Sequence, residues 1–170
     1  AERHGRVDFV FNGLNPKKIP SQLLPSAERN YFAFLGRAAL KRKGLDQAKI
    51  IAKYFKTPLR IGGGRGLPWF GVKYLGHLNN EEKFNLLAQA RALLFPIDWE
   101  EPFGLVVIEA MFMGTPVFAF NRGSVPELLG DQSFFCRADS TDELINAIKN
   151  FQSQFDPKII REYAESNFSH

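Results

Sequence analysis

Cysteine is nearly missing from this sequence. A single thiol, Cys136 in "QSFFCR", allows no internal disulfide, which excludes a disulfide-stapled scaffold and favours a reducing compartment, the cytoplasm. Histidine is scarce as well: His4, His77 and His170 stand far apart, and no metal-ligand spacing appears among them. No apolar run approaches the roughly 18 residues that a membrane-spanning helix needs. The opening "AERHGRVDF" shows no secretory leader pattern. Nor is charge concentrated: a net value of +4 and a pI near 9.3 are mild, whereas a nucleic-acid binder would carry a dense Lys/Arg face. Internal repeats and low-complexity tracts are absent. Two phosphate-binding fingerprints also fail. "IGGGRG" would need glycine at 67 to complete G-x-G-x-x-G, but Leu67 stands there, and no helix pattern follows. No G-x-x-x-x-G-K-[ST] loop exists either.

What is present suits one globular domain. The chain is 45% apolar and holds 17 Phe, enough for an aromatic-rich core. It begins without Met and enters directly on a strand-like run, Val7–Phe11, so it reads as a fragment of something longer. "LNPKKIPSQLLPS" then places Pro16, Pro20 and Pro25 in a meandering linker. From Tyr31 onward short apolar strands ("YFAFLG", "PLRIGG", "VKYLG", "ALLFP", "PVFAF", "SFFC") alternate with helices. The helices are "GLDQAKIIAKYFK", "NEEKFNLLAQAR" with Asn80 as N-cap, "FGLVVIEAMFM" closed by Gly114, "SVPELLG", "STDELINAIKNFQ" with a capping box to Glu143, and "DPKIIREYAESNF". Such alternation predicts an α/β fold: a Rossmann-like, doubly wound, mostly parallel sheet with helices on both faces. Residues 1–30 are expected to be a crossover strand and linker, and 31–170 the folded domain.

Open α/β sheets bind ligands outside the carboxyl ends of their strands. Four strands are followed there by glycines and charges: Gly36, Arg37 and Lys41–Lys43; Gly62–Gly66 with Arg65; Asp98–Gly104; and Asn121–Gly123. A helix opening near Gly104 would offer free N–H groups and a positive dipole end to a phosphate, with Arg37 and Lys43 adding charge. Read alone, Lys41–Lys43 is also a solvated charge run, and Glu101 also a favourable helix-dipole residue. Glu109 is less neutral: inside "VVIEAM" a buried carboxylate needs a partner. Glu101 and Glu109 do not share a helical face, so a glycosidase pair facing across roughly 5 to 9 Å is not indicated. They bracket a helix start instead. This suits a ligand with phosphate in the middle and hydroxylated sugars at both ends, the form of a nucleotide sugar.

These residues resemble a known family. "EPFGLVVIEAMFMGTPV" is similar to the E-x7-E signature of retaining GT-B glycosyltransferases, specifically glycosyltransferase family 4 (group 1). "FLGRAALKRKG" resembles its G-R-x5-K-G segment, and "RGSVPELL" its G-x-x-P-E segment through Gly123, Pro126 and Glu127. The likeness runs from Val7 to Phe168. It implies the carboxyl-terminal, donor-binding half of a two-domain hexosyltransferase, paired with an amino-terminal acceptor domain. Arg37 and Lys43 would bind the donor diphosphate, and Glu101 the transferred sugar. The amides of Phe103, Gly104, Leu105 and Val106 would cradle sugar and phosphate. Glu109 would take the ribose, and Gly62, Gly63, Gly76, His77 and Leu78 would flank the base. The donor would be a UDP-, GDP- or ADP-hexose, with no metal, no separate cofactor and no nucleic acid. Transfer would retain the anomeric configuration by same-face attack. The resemblance also implies little turnover by this half alone, and its mild basicity is compatible with contact at an anionic membrane surface. A non-catalytic nucleotide-sugar-binding or interaction module, or a starch or sucrose synthase-like enzyme, shares the local signature.

Overall fold

In the computed structural model residues 14–68, 71–151 and 155–169 are described. The strand expected at Val7–Phe11 lies outside them. Six strands form one all-parallel sheet: β1 (Tyr31–Leu35), β2 (Leu59–Gly62), β3 (Val72–Tyr74), β4 (Ala90–Phe95), β5 (Val117–Phe120) and β6 (Phe135–Ala138). Their order is β3-β2-β1-β4-β5-β6, the doubly wound order. Among the described residues six α-helices complete it: α1 (Leu45–Tyr54), α2 (Asn80–Ala88), α3 (Leu105–Phe112), α4 (Val125–Leu129), α5 (Thr141–Lys149) and α6 (Pro157–Phe168).

Side-chain alternation along the strands builds two cores. Tyr31, Ala33, Leu93, Phe95, Val117 and Ala119 face the layer of α2, α3, α4 and α6. Phe32, Phe34, Ala92, Leu94, Phe118 and Phe120 face α1 and α5. Both faces of the central strands are therefore buried, which is why β4 and β5 read as continuous apolar runs. The Phe content is spent mostly here: Phe32 meets Phe118 edge-on at 6.1 Å between ring centres, and Phe118 meets Phe151 at 5.0 Å.

Three local details differ from expectation. The N-cap of α2 is Asn79, not Asn80. Asn79 Oδ1 accepts from the Glu82 amide at 2.9 Å, and the Glu82 carboxylate accepts from the Asn79 amide at 2.8 Å. Only from Asn79 does the third residue onward carry the acid that such a reciprocal box needs. Strand β6 sits two residues later than "SFFC", because its ladder with Val117–Phe120 takes Phe135–Ala138. At α5 Ser140 caps the Glu143 amide, but the Glu143 carboxylate returns to the Asp139 amide rather than to the cap.

Residues 14–30 are fastened to the sheet domain. The Leu14 amide donates to Phe168 O, Arg161 donates to Pro20 O, and Ile19 is buried in the core. Arg29 is only 4% exposed. Its guanidinium donates to Leu24 O, Ala90 O, Thr115 Oγ1 and Met113 O. These four neutral acceptors satisfy the charge, and one of them lies just past the carbonyl end of α3, where a cation is favoured. Burial lowers the Arg29 pKa to about 10, which still leaves it charged at neutral pH.

Candidate functional site

Chain order reverses between β1 and β4, the point at which open α/β sheets form a ligand crevice outside the strand ends, flanked by the loops leaving the two strands. The structure ties these loops together by backbone. The Asp98 amide donates to Arg42 O at 2.9 Å. Gly44, with φ of +78°, passes so close to Pro96 that a Cβ there would lie 1.8 Å from its carbonyl oxygen. The loop after β5 braces the same segment: the Gly123 amide donates to Glu100 Oε2 at 2.7 Å and the Ser124 amide to Glu101 O at 2.9 Å. Gly123, with φ of +53°, admits no side chain against that backbone either.

Lys43 and Glu101 meet across this crevice. Lys43 Nζ donates to Glu101 Oε2 at 3.0 Å, with side chains 22% and 16% exposed. Lys43 Nζ also stands 4.4 Å from the ring centre of Trp99, a half-exposed aromatic on the β4 loop. One ammonium thus serves a carboxylate and an aromatic face. Beside them α3 begins at Gly104, whose left-handed φ of +68° and missing side chain leave the helix without a side-chain cap. The amides at Leu105 and Val106 belong to a first turn whose N–H groups have no partner inside the helix. Leu105 is half exposed, while Gly104 before it is buried. An anion is the natural occupant of such a place.

Glu109 lies one turn deeper on α3. Lys83 of α2 reaches across and donates to Glu109 Oε1, the two side chains being 21% and 13% exposed. Next to this pair a hollow of about 600 Å³ opens between α2 and the segment 14–20, lined by Leu14, Lys17, Ile19, Phe84, Lys83 and Glu109. A larger hollow, about 800 Å³, lies at the opposite edge of the sheet, between α1 and the start of β2. It has no part in the crevice.

The glycine turn forms the flank on the β2 side. The Gly63 amide donates to Gly76 O at 2.7 Å, and a Cβ at Gly62 would strike Leu35 and Leu78 at 2.6 and 2.7 Å. Ala38 donates to Gly63 O, so the β1 loop touches this turn at one end and Glu101 at the other. His77 is exposed. Among the described residues no helix separates β2 from β3, as the short "GGGRGLPWFG" indicates.

Of the residues singled out in the sequence, Lys43, Glu101 and Gly104 gather at the crevice, while Glu109 and the glycine turn flank it. Arg37 sits on the same loop but is exposed, and its side chain has no hydrogen bond among the described residues. Sequence reasoning missed Lys83 and Trp99, and placed Glu100 on this edge without the Gly123 amide that it holds. Only Lys83 left a trace: a carboxylate in an apolar helix calls for a cation, without saying which one.

Comparison with known proteins gives the same direction. The family model described as glycosyl transferases group 1 matches residues 69–166. The O-antigen chain mannosyltransferase B of Escherichia coli is 36% identical over 73 residues, 43% of this chain and 19% of that protein. Among solved structures, a glycosyltransferase involved in avilamycin A biosynthesis superposes with a TM-score of 0.76 at 22% identity, over 98% of this chain and 54% of its own. An Anabaena protein in complex with UDP and glucose superposes with a TM-score of 0.68 at 20% identity, over 85% and 45%. The chain therefore spans about half the length of these structures and less of the mannosyltransferase.

Proposed function

The chain belongs to the glycosyl transferases group 1 family, and we propose that it is the donor-binding half of a retaining, metal-independent hexosyltransferase of family 4. The observation that carries this reading is the Lys43–Glu101 contact beside the uncapped start of α3, at the point where strand order reverses. A diphosphate placed there would take the first-turn amides of α3 and the charges of Lys43 and Arg37. Glu101 would accept from hydroxyls of the transferred sugar. Glu109 would accept from the ribose, and the Gly62–Gly63 and Gly76–Leu78 turns would flank the base.

No side chain acts as nucleophile in this scheme. Lys43 and Arg37 stabilise charge developing on the leaving diphosphate, and the two carboxylates hold the donor in line. The acceptor binds to a separate amino-terminal domain, and the 170 residues alone turn over little because that half of the cleft is not theirs. The reading is supported by the family match and by the UDP and glucose held in a protein of like fold.

A thermal-shift panel of UDP-, GDP- and ADP-hexoses tests it. A ligand at a hundred times its Kd adds about 2.7 kcal/mol of stability. A rise in Tm with one nucleotide class supports donor binding. A flat response to all three at millimolar concentration removes the reading in favour of an interaction module.

A further inference from the structure

We infer that Lys83 is a positioning residue that fixes the Glu109 carboxylate for recognition of the nucleoside ribose; this rests on the donor-binding reading above. The geometry is one-sided. Glu109 Oε1 is taken by Lys83 Nζ, whereas Oε2 has no hydrogen-bond partner among the described residues and is not sealed from solvent. The pair lies at the wall of the 600 Å³ hollow, which both side chains line. A carboxylate bound through one oxygen cannot rotate freely about its terminal torsion, and its second oxygen keeps one direction.

Lys83 is itself held. The Asn79–Glu82 capping box sets the register of α2 and puts Lys83 on the side facing α3. Its ammonium also lies 3.4 Å from Asn80 Oδ1 and 5.2 Å from the centre of the Phe84 ring. These contacts narrow the directions open to the ammonium and leave Glu109 Oε1 as its carboxylate partner. Clamped on one side and open on the other, the carboxylate is a directed acceptor, suited to the paired hydroxyls of a ribose. The diphosphate contacts lie at the first turn of α3 and on the β1 loop, one turn or more from Glu109, so Lys83 sets selectivity for the sugar of the nucleoside rather than overall affinity.

The test is a ratio measured by calorimetry on the 170-residue chain. UDP, GDP and ADP are titrated first, and the nucleotide that binds is compared with its 2′,3′-dideoxy counterpart. The unaltered chain is expected to prefer the ribose form about tenfold, the weight of one charge-assisted hydrogen bond. In Lys83→Met the preference falls below about threefold, and in Lys83→Arg it returns, since the guanidinium restores the clamp. Lys83→Gln replaces Met if the Met variant does not fold. An undiminished preference in Lys83→Met overturns the inference and leaves donor binding standing. Failure of all three diphosphates to bind the unaltered chain overturns the donor-binding reading itself.

Discussion

Two lysine–glutamate pairs border this site, and they are built differently. Lys43 and Glu101 come from loops, Lys43 closing a short 3-10 turn and Glu101 lying before α3. Lys83 and Glu109 come from two packed helices. Exposure hardly distinguishes them. Their surroundings do: Lys43 and Glu101 stand beside the uncapped start of α3, where an entering anion could take over the ammonium, whereas Lys83 and Glu109 are carried by two packed helices. The loop pair therefore suits groups that exchange partners when a ligand enters, Lys43 passing to phosphate and Glu101 to sugar. The helix pair suits a fixed acceptor. A partly exposed ion pair adds little stability on its own, so both are better understood through what they present than through what they hold together.

The largest effect expected is on the loop pair's backbone. Gly44→Ala puts a Cβ 1.8 Å from Pro96 O at a positive φ, so the loops after β1 and β4 must separate. We expect a loss on the order of 3 kcal/mol in stability by denaturant titration. Unchanged stability would mean that the two loops are not rigidly joined. Next, Lys43→Ala and Glu109→Ala should each weaken nucleotide-sugar binding by about 1–3 kcal/mol. Glu101→Gln divides the pairs more finely. Bare nucleoside diphosphate should bind it at least as tightly as the parent, since Lys43 loses a competing carboxylate, whereas the gain from adding the hexose should shrink by about 1 kcal/mol. Weaker binding of the bare diphosphate would contradict partner exchange.

At alkaline pH a separate background must be subtracted from the other measurements. Cys136 in β6 is buried away from both pairs, and burial pushes its thiol from 9.0 up to about 12. The fold favours the protonated thiol, so its contribution is complete below pH 9 and is lost as pH rises from 9 towards 12, where the unfolded chain ionises first. Cys136→Ala should flatten that part of the stability profile. A profile equally steep without the thiol would assign the decline to other groups, such as Tyr31, which burial also raises.

The same comparison explains what could be read from the sequence. Strand–helix alternation fixes the layer order because each element buries its own periodic face, and the strand-end rule then locates Lys43 and Glu101 on one edge without any contact map. Lys83 escaped because its partner is 26 residues away on another helix, and only packing brings α2 against α3. The Asn79–Glu82 box was legible, since counting three onward from Asn80 reaches Lys83, which cannot accept the return bond. Trp99 and Arg29 were not: one is defined by a cation over its ring, the other by carbonyls drawn from Leu24, Ala90 and Met113. Such settings arise from the fold and leave no spacing behind.

The central claim is that both pairs serve one nucleotide sugar. Calorimetric titration of UDP-, GDP- and ADP-hexoses into the parent chain, Lys43→Ala and Glu109→Ala tests it most directly. One donor class should bind the parent, and each substitution should weaken it by about 1–3 kcal/mol. Binding that is indifferent to both substitutions would place the ligand elsewhere and contradict the account.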